Sequence, residues 1–141
     1  MKFSSRRVES NISSGYEQCR NLHTAIFPGE AWECRESVLW VVTEPGGYPV
    51  AYAALDLWES GICFLSSCGV RRKARGHGLQ KRLIRTREKF AKLRDKLMVV
   101  TYTTANNYPS LTNLVRCGYN PFDPEYPWVG RDGIIYYRKE L

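Results

Sequence analysis

Long apolar runs are missing from this sequence, and their absence limits what the chain can be. No run approaches the roughly 20 consecutive apolar residues that cross a bilayer, and the N-terminal segment lacks the apolar centre of a secretory signal. Hydrophobic residues still make up 43% of the 141 positions, which is enough to bury a core. We therefore expect a folded protein that does not insert into membranes.

Paired cysteines are missing as well. The five cysteines are an odd number and no two of them form a C-x-x-C pair, which argues against a disulfide framework and against a zinc site. Cys63 and Cys68 lie in an apolar run, where cysteine behaves as a small hydrophobic residue. We expect no bound metal and a reducing, cytoplasmic environment.

Acidic residues are scarce in one segment only. Residues 71–96 contain 12 Lys and Arg against two acids, Glu88 and Asp95. Acids outnumber bases in residues 1–70 and equal them in residues 97–141. A basic patch confined to one segment suits a phosphorylated ligand, although nucleic acid would also suit it.

The hydrophobic pattern predicts one domain over residues 1–141, without repeats or linkers. Apolar spacing indicates helices, β-branched runs indicate strands, and Pro-Gly clusters separate them. In chain order the predicted elements are a short strand at residues 3–10, a helix capped by Ser13 or Ser14 and running through Ile26, and strands at 38–43, 50–58 and 62–70 that form an antiparallel meander. A basic-faced helix from Leu79, a strand at 97–102, a helix at 110–117, a loop at 121–133 and a strand at 134–138 follow.

The most informative stretch runs from Lys73 to Gly78, between the strand at 62–70 and the basic helix. Gly76 and Gly78 let the backbone come close to a ligand. The N–H groups and the dipole at the start of the following helix favour an anion there, and a pyrophosphate fits. The spacing fits neither a P-loop, which needs G-x-x-x-x-G-K-[ST], nor a dinucleotide-binding fingerprint, whose third glycine would stand at Lys81.

Two segments together resemble the GNAT superfamily of N-acetyltransferases, which use acetyl-CoA. The family's pyrophosphate loop reads Gln/Arg-x-x-Gly-x-Gly/Ala, and here Lys73 takes the first position and keeps its positive charge. The family's second segment reads Asn-x-x-Ala/Ser, then seven residues, then Gly-Phe/Tyr. The resemblance covers about residues 62–120. Its matching positions are Lys73, Gly76 and Gly78, then Asn107, Ser110, Gly118 and Tyr119.

The resemblance implies an α/β, GNAT-like acyl-CoA N-acyltransferase fold. Its central, mostly antiparallel sheet would be splayed between the fourth and fifth strands, with helices on both faces. The pantetheine arm of acetyl-CoA would enter that gap and pair with residues 68–70, while Arg71 and Arg72 would reach either the 3′-phosphate of CoA or only solvent. The residues implied to bind acetyl-CoA are Cys68, Gly69, Val70, Lys73, Ala74, Arg75, Gly76, His77, Gly78, Leu79, Asn107 and Ser110.

The sequence departs from the family where protons move. Many members place a tyrosine acid seven residues after the asparagine, and that position is Leu114 here. Tyr108 is the candidate acid, against the alternative of a surface or packing tyrosine. Asp56, an acid in an otherwise apolar strand, is the candidate base. His23 is interpreted as a solvated or half-buried helix residue.

The resemblance implies an amine acceptor, and acids on the two segments that family members use for the acceptor pocket would favour a cationic one. The alternative is that these acids, Glu30, Glu33, Asp123 and Glu125, simply face water. The sequence thus predicts an N-acetyltransferase acting on a primary amine of a small molecule or protein by direct attack.

Two other functions are weighed against this one. A catalytically silent acyl-CoA-binding or regulatory module is suggested by Leu114. A nucleic-acid binder is disfavoured, because the basic helix has no interleaved exposed aromatic residues. A homodimer fits the family, but no residue pattern fixes the oligomeric state.

Overall fold

The structure of the chain is a computed structural model that describes residues 2–9 and 11–141. Within these residues the chain forms three α-helices and one seven-stranded sheet. A single 3₁₀ turn at Arg72–Ala74 precedes the second helix. The elements are β1 Ser4–Arg7, α1 Ser14–Ile26, β2 Val38–Thr43, β3 Pro49–Asp56, β4 Ile62–Val70, α2 Leu79–Leu93, β5 Met98–Thr104, α3 Tyr108–Arg116, β6 Asn120–Phe122 and β7 Ile134–Glu140.

The sheet has the order β1-β2-β3-β4-β5-β7-β6. β4 and β5 run parallel, whereas the other neighbouring strands are antiparallel. Successive side chains of a strand point to opposite faces, and β3 shows this clearly. Tyr52 and Ala54 pack with α1, whereas Ala51, Ala53 and Leu55 pack in the core that contains α2 and α3. The predicted mixed sheet with helices on both faces is therefore confirmed.

The two central strands separate after a short paired stretch. β4 and β5 pair from Ile62 opposite Met98 to Phe64 opposite Val100, yet both strands continue well beyond these pairs. Just past the last pair, the Thr101 hydroxyl donates to the Leu65 carbonyl at 3.0 Å. A side-chain hydrogen bond thus replaces the ladder where the strands diverge, and the predicted splay between the fourth and fifth strands is confirmed.

A β-bulge in β4 lies beside this opening. Ala54 pairs with Ser67 and Leu55 pairs with Leu65, so Ser66 is an extra residue in β4. Bulges of this kind bend a strand and leave ladder groups without their usual partners. Arg87 of α2 supplies donors here, because its Nη1 bonds the carbonyls of Ala54 at 3.0 Å and Ser67 at 3.4 Å.

Local signals explain most of the element boundaries. The Ser13 side chain accepts from the Tyr16 N–H and begins α1, as predicted, and α2 begins at Leu79. Gly118 has a φ of +92° after α3, as expected of a glycine that ends a helix.

Several boundaries differ from the prediction by a few residues, and two of the differences have a clear local cause. The helix α3 starts at Tyr108, two residues earlier than expected, because the Asn107 side chain caps it. The predicted loop at 121–133 begins with a strand residue, since β6 pairs with β7 at the sheet edge, where a proline such as Pro121 is tolerated. Ser10, the last residue of the predicted first strand, lies outside the described residues, as does Met1.

In the part of the chain that the structure describes, no helix combines the length and the apolar character needed to cross a membrane.

Candidate active site

The gap between β4 and β5 opens into a cleft of about 290 Å³. Both diverging strands line it, through residues 65–68 and 101–104. The helix α2 closes one side, the start of α3 closes another, and two loops border the rest. The lining side chains from these elements are Gln80, Ile84 and Arg87 of α2, Asn107, Ser110 and Leu114 at α3, and Phe27, Glu30 and Arg131 of the loops.

Three of the predicted acetyl-CoA ligands meet in this cleft, namely Cys68, Asn107 and Ser110. The Asn107 side chain accepts from the Ser110 N–H at 3.4 Å. Ser110 Oγ in turn accepts from Gln80 Nε2 at 3.1 Å, and Asn113 donates to Gln80 Oε1 at 2.7 Å. This network ties the start of α3 to the start of α2. Gln80, which lines the cleft and joins this network, was not identified as a site residue from the sequence.

The glycine loop has the backbone that its sequence predicts. Gly76 and Gly78 have φ values of +81° and +72°, a region that favours glycine. A Cβ added at either residue would meet nothing within 4 Å, so backbone conformation rather than crowding requires glycine. Ala74 and Leu79, which are 2% and 3% exposed, anchor the two ends of the loop in the core.

A second cavity of about 500 Å³ lies beside the loop, and four cationic residues line it. These are Arg71, Arg72, Lys73 and Arg75, and Val70 and Tyr48 border the same space. The side chain of Lys73 turns toward the β2–β3 hairpin, where its Nζ lies 3.2 Å from Glu44 and 4.3 Å from the centroid of the Tyr48 ring. The positive charge nevertheless stays concentrated at the end of β4, which favours an anionic ligand.

The remaining loop residue, His77, lines neither of the two cavities. It is exposed, and its ring lies 5.2 Å from the ring of Phe3 in an edge-on contact. Only the backbone of His77 is therefore placed to serve a ligand of the loop.

Because Gly69 has no side chain, three neighbouring side chains can pack directly on the backbone of β4. A Cβ at this residue would lie 2.7 Å from Tyr52 Cε1, 3.0 Å from Ile26 Cδ1 and 3.1 Å from Phe27 Cε2. The C-terminal end of α1 and the Tyr52 ring thus approach the strand as closely as a missing side chain allows. This close approach is what brings residues of α1 near the cleft.

The two candidate acid–base residues lie apart from one another. Asp56 is half-buried at the end of β3, where Ser66 donates to it at 3.2 Å and Ser37 donates to it as well. Tyr108 is 69% exposed at the start of α3. Neither residue is among those that line the cleft. Their assignment as base and acid stays a prediction.

Leu114 is 5% exposed and lines the cleft while packing in the core. An apolar side chain therefore stands where many family members place an acid.

Cys68 lines the cleft too, but burial raises the pKa of its thiol, with the Arg87 charge opposing the rise. A protonated thiol is a poor nucleophile, which agrees with a packing role.

A chain of hydrogen bonds that the sequence did not reveal leads from the cleft to α1. Ser67 Oγ, at the cleft wall, lies 2.8 Å from the Tyr52 hydroxyl. That hydroxyl lies 2.8 Å from His23 Nδ1, and His23 Nε2 lies 3.3 Å from the Glu30 carbonyl. His23 is only 6% exposed, so the expectation of a solvated or half-buried side chain is wrong. Its spacing of four from Cys19, on the buried face of α1, was the available signal.

Arg87 is the second residue that sequence reasoning missed. It is 2% exposed, and besides the bulge carbonyls its Nε donates to the Leu83 carbonyl at 3.1 Å. All of its described hydrogen bonds go to backbone carbonyls, and it lines the cleft. Its spacing of four from Leu83 and from Ala91, both on the buried face of α2, was the available signal.

The residues described contain no group of three or more His, Cys, Asp and Glu side chains that could hold a metal ion. All five cysteines are unpaired thiols.

The model of the acetyltransferase (GNAT) family matches residues 10–119, well over half of the chain. Among curated protein sequences, none matches significantly. Many solved structures share the fold. An IAA acetyltransferase from Bacillus cereus is 17% identical, with 99% of this chain and 100% of that chain covered at a TM-score of 0.79. A GNAT family acetyltransferase from Staphylococcus aureus is 12% identical, with 98% and 99% covered at a TM-score of 0.79.

A GNAT family acetyltransferase from Elizabethkingia anophelis, solved with acetyl-CoA bound, is 15% identical. The match covers 99% of this chain and 98% of that chain at a TM-score of 0.76. At such low identity these similarities show the fold alone.

Proposed function

Because this chain belongs to the GNAT acetyltransferase family and is therefore an acyltransferase, we propose that it transfers an acetyl group from acetyl-CoA to a primary amine of a small molecule or protein. The amine attacks the thioester directly, so no acyl-enzyme forms. The observation that carries this proposal is the open edge of β4 beyond Phe64, with a cationic glycine loop at its end.

The open edge of β4 suits the pantetheine arm. Beyond the last pair with β5, the backbone groups of Cys68 and Val70 on that side have no strand partner, and an extended amide-containing chain can pair with such an edge. The fold is shared with a protein solved with acetyl-CoA bound. One backbone N–H aimed at the thioester oxygen stabilises the developing charge by roughly 3–4 kcal/mol in other enzymes.

The cationic loop suits the phosphates. Arg71, Arg72 and Arg75 line one cavity, and the loop with its two positive-φ glycines leads into the N-terminus of α2, where free backbone N–H groups favour an anion. Asn107 and Ser110 line the cleft into which the arm would extend. These placements support the assignment of residues 68–70, 73–79, 107 and 110 to acetyl-CoA.

The acceptor is proposed to be a cationic amine. Glu30 lines the cleft, while Glu33, Asp123 and Glu125 are exposed on the two neighbouring loops. Exposed carboxylates of this kind attract a cation before it binds. Arg131 lines the same cleft, and its positive charge offsets part of the negative charge of the carboxylates.

The test is an assay of CoA thiol release with acetyl-CoA and a panel of amines that includes spermidine, lysine amide, an N-terminal peptide and benzylamine. We expect release with at least one amine, with spermidine and lysine amide, which carry a further positive charge, ahead of benzylamine. Tight CoA binding without release for any amine would overturn the proposal.

The second candidate is a catalytically silent acyl-CoA-binding or regulatory module, favoured by the buried Leu114 at the usual acid position. Calorimetry with acetyl-CoA measures binding independently of turnover. Binding together with turnover at an ordinary enzymatic rate excludes the silent module, whereas binding alone supports it.

A further inference from the structure

The three hydrogen-bonded side chains behind the cleft have a fixed direction. The Glu30 carbonyl can only accept, so His23 Nε2 must carry the proton that it shares with this carbonyl. In a neutral imidazole the other nitrogen, Nδ1, is then an acceptor. The Tyr52 hydroxyl therefore donates to His23 Nδ1. Because that hydroxyl has a single proton, it accepts from Ser67 Oγ.

This order leaves Ser67 Oγ as an acceptor toward the cleft. Ser67 is half-buried and lines the cleft wall, whereas Tyr52 and His23 are 0% and 6% exposed. Every proton along the chain thus points from the cleft toward His23. A proton that enters at Ser67 can be passed inward without any side chain having to rotate.

From this geometry we propose that Ser67, Tyr52 and His23 form a proton relay that deprotonates the attacking amine. The proposal rests on the proposed acetyl transfer and names the route of its proton. Ser67 is the group that touches the amine, while Tyr52 and His23 act through it.

The step balances as follows. The amine reacts as neutral RNH₂, and its lone pair forms the C–N bond, which leaves the nitrogen positively charged. That nitrogen gives one proton to Ser67 Oγ, Ser67 gives its own proton to Tyr52, and Tyr52 gives its own to His23 Nδ1, while the C–S bond breaks with its pair leaving on sulfur. The proton on His23 returns along the same groups to the thiolate, so the products are the amide and CoA thiol. While charged, His23 donates from both nitrogens, to Glu30 and to Tyr52.

The surroundings favour this assignment over a simpler one in which Tyr52 is the base. Burial raises the pKa of the Tyr52 phenol above its ordinary value, so Tyr52 stays protonated and transmits a proton without keeping it. The thiols that act on the Tyr52 phenol are those of Cys19 on α1, Cys34 on the following loop and Cys68 on β4. Burial raises the pKa of Cys19 to about 12, with Arg6 of β1 opposing the rise, and that of Cys34 to about 11. All three thiols are therefore neutral near pH 7.

The relay is an alternative to Asp56, the base predicted from the sequence. Asp56 is bonded by Ser37 and Ser66 and does not line the cleft. Ser66 lines the cleft but points its hydroxyl at Asp56. Thus the neighbouring serines of the bulge lead to two different groups, and variants can separate the two routes.

The kinetic experiment uses the full chain, acetyl-CoA and the amine of the panel that is turned over fastest. His23→Asn keeps an acceptor toward Tyr52 but cannot take a proton, Tyr52→Phe breaks the chain, and Ser67→Ala removes its entrance. We expect each to lower kcat by ~10²–10⁴-fold with little change in KM for acetyl-CoA.

The double variant His23→Asn/Tyr52→Phe should be no slower than the slower single variant, because the groups act as a unit. The increase of kcat with pH that reports a base should be lost in His23→Asn.

Tyr16→Phe is the matched control. It removes another buried phenol of the same aromatic cluster, whose hydroxyl accepts from Trp32 at 2.8 Å and lies outside the relay. We expect its kcat and pH profile to stay within 3-fold of those of the parent, an allowance on the order of 0.6 kcal/mol. If Asp56→Asn abolishes the base-dependent limb while His23→Asn retains it, the relay is wrong and Asp56 is the base.

A spectroscopic arm does not depend on turnover. Long-range ¹H–¹⁵N correlation on protein labelled in its two histidines reports the tautomer of His23. We expect the proton on Nε2 and an acceptor Nδ1. A proton on Nδ1 in the neutral ring overturns the relay whatever the activity. Absence of turnover with every amine overturns the proposed function and the relay together, whereas turnover that is unaffected in the three variants overturns the relay alone.

Discussion

At the scale of single residues, Gly69 matters because a larger residue would not fit between β4 and the side chains packed on it. A Cβ there would overlap the ring of Tyr52, which is fully buried, as well as Ile26 and Phe27 of the α1 end. The Tyr52 ring has no room to retreat, because Tyr52 is fully buried and is hydrogen-bonded on two sides. The glycine therefore sets the distance between α1 and the cleft.

Gly69→Ala is expected to lower the free energy of unfolding by about 1–3 kcal/mol, as for other overpacked cores. Gly130→Ala is the control, since a Cβ there meets nothing within 4 Å and the backbone φ is not positive. Urea unfolding of both variants measures the difference. Equal midpoints for the two variants would show that α1 moves aside at no cost.

The buried thiol of Cys34 is expected to make the free energy of unfolding fall as pH rises through the alkaline range. Burial raises its pKa from 9.0 to about 11. Above pH 9 the unfolded chain loses this proton before the folded chain does, so the folded state binds more protons and its stability falls as pH rises toward 11. We expect the loss of unfolding free energy between pH 8 and pH 10.5 to be smaller in Cys34→Ala than in the parent. An identical loss in both proteins would mean that Cys34 ionises freely in the fold.

At the scale of elements, α2 is more than a cover for the sheet. Its Arg87 reaches through the core to two carbonyls at the bulge, which links the helix to the strand that carries Ser67. A charged donor can serve several acceptors at one point, and a bulge creates that need. The helix therefore fixes the geometry of the cleft wall.

Arg87→Met is expected to lower the free energy of unfolding by about 1–3 kcal/mol, because buried carbonyls lose their donors while the volume is largely kept. Lys89→Met is the matched control, with the same loss of charge at an exposed position of the same helix, and its effect should be within about 0.5 kcal/mol. Chemical denaturation measures both variants. If Arg87→Met lowers the free energy of unfolding no more than the control does, Arg87 does not stabilise the contact between α2 and the bulge.

At the scale of the whole molecule, the sheet is split where the ligand is proposed to bind. β4 and β5 share only three paired residues each, so the two halves of the sheet are held at one end of the gap. A ligand that pairs along the open edge adds contacts to both halves. Ligand binding should therefore stabilise the fold as a unit.

CoA at 100 times its Kd is expected to raise the free energy of unfolding by about 2.7 kcal/mol. Raising NaCl from 50 to 500 mM should weaken CoA binding, because salt screens the exposed cations of residues 71–75. Pantetheine, which lacks the phosphates, is the control and should show little salt dependence. Thermal unfolding and calorimetry at both salt concentrations test this, and a salt-independent Kd for CoA would contradict a phosphate site at the loop.

Most of the fold could be predicted from the sequence because its signals are local. The β-branched runs, the glycines of the loop and the caps at Ser13 and Gly118 act within a few residues of their own positions. The edge strand β6 could not be predicted, since only its pairing with β7 makes Asn120–Phe122 a strand. The early start of α3 was missed for a similar reason, because Asn107 was considered as a ligand and not as a cap.

The sequence by itself determined the family of this protein and its proposed phosphate loop. Such a loop needs consecutive residues at one strand-to-helix junction, so its signal at Lys73 to Gly78 can be read along the chain. Only the tertiary structure decided what lies behind the cleft. His23, Tyr52 and Ser67 come from three separate elements and meet because the sheet stacks β3 beside β4 under α1. Their chemistry depends on distances across the fold, and spacing along the chain carries no record of those distances.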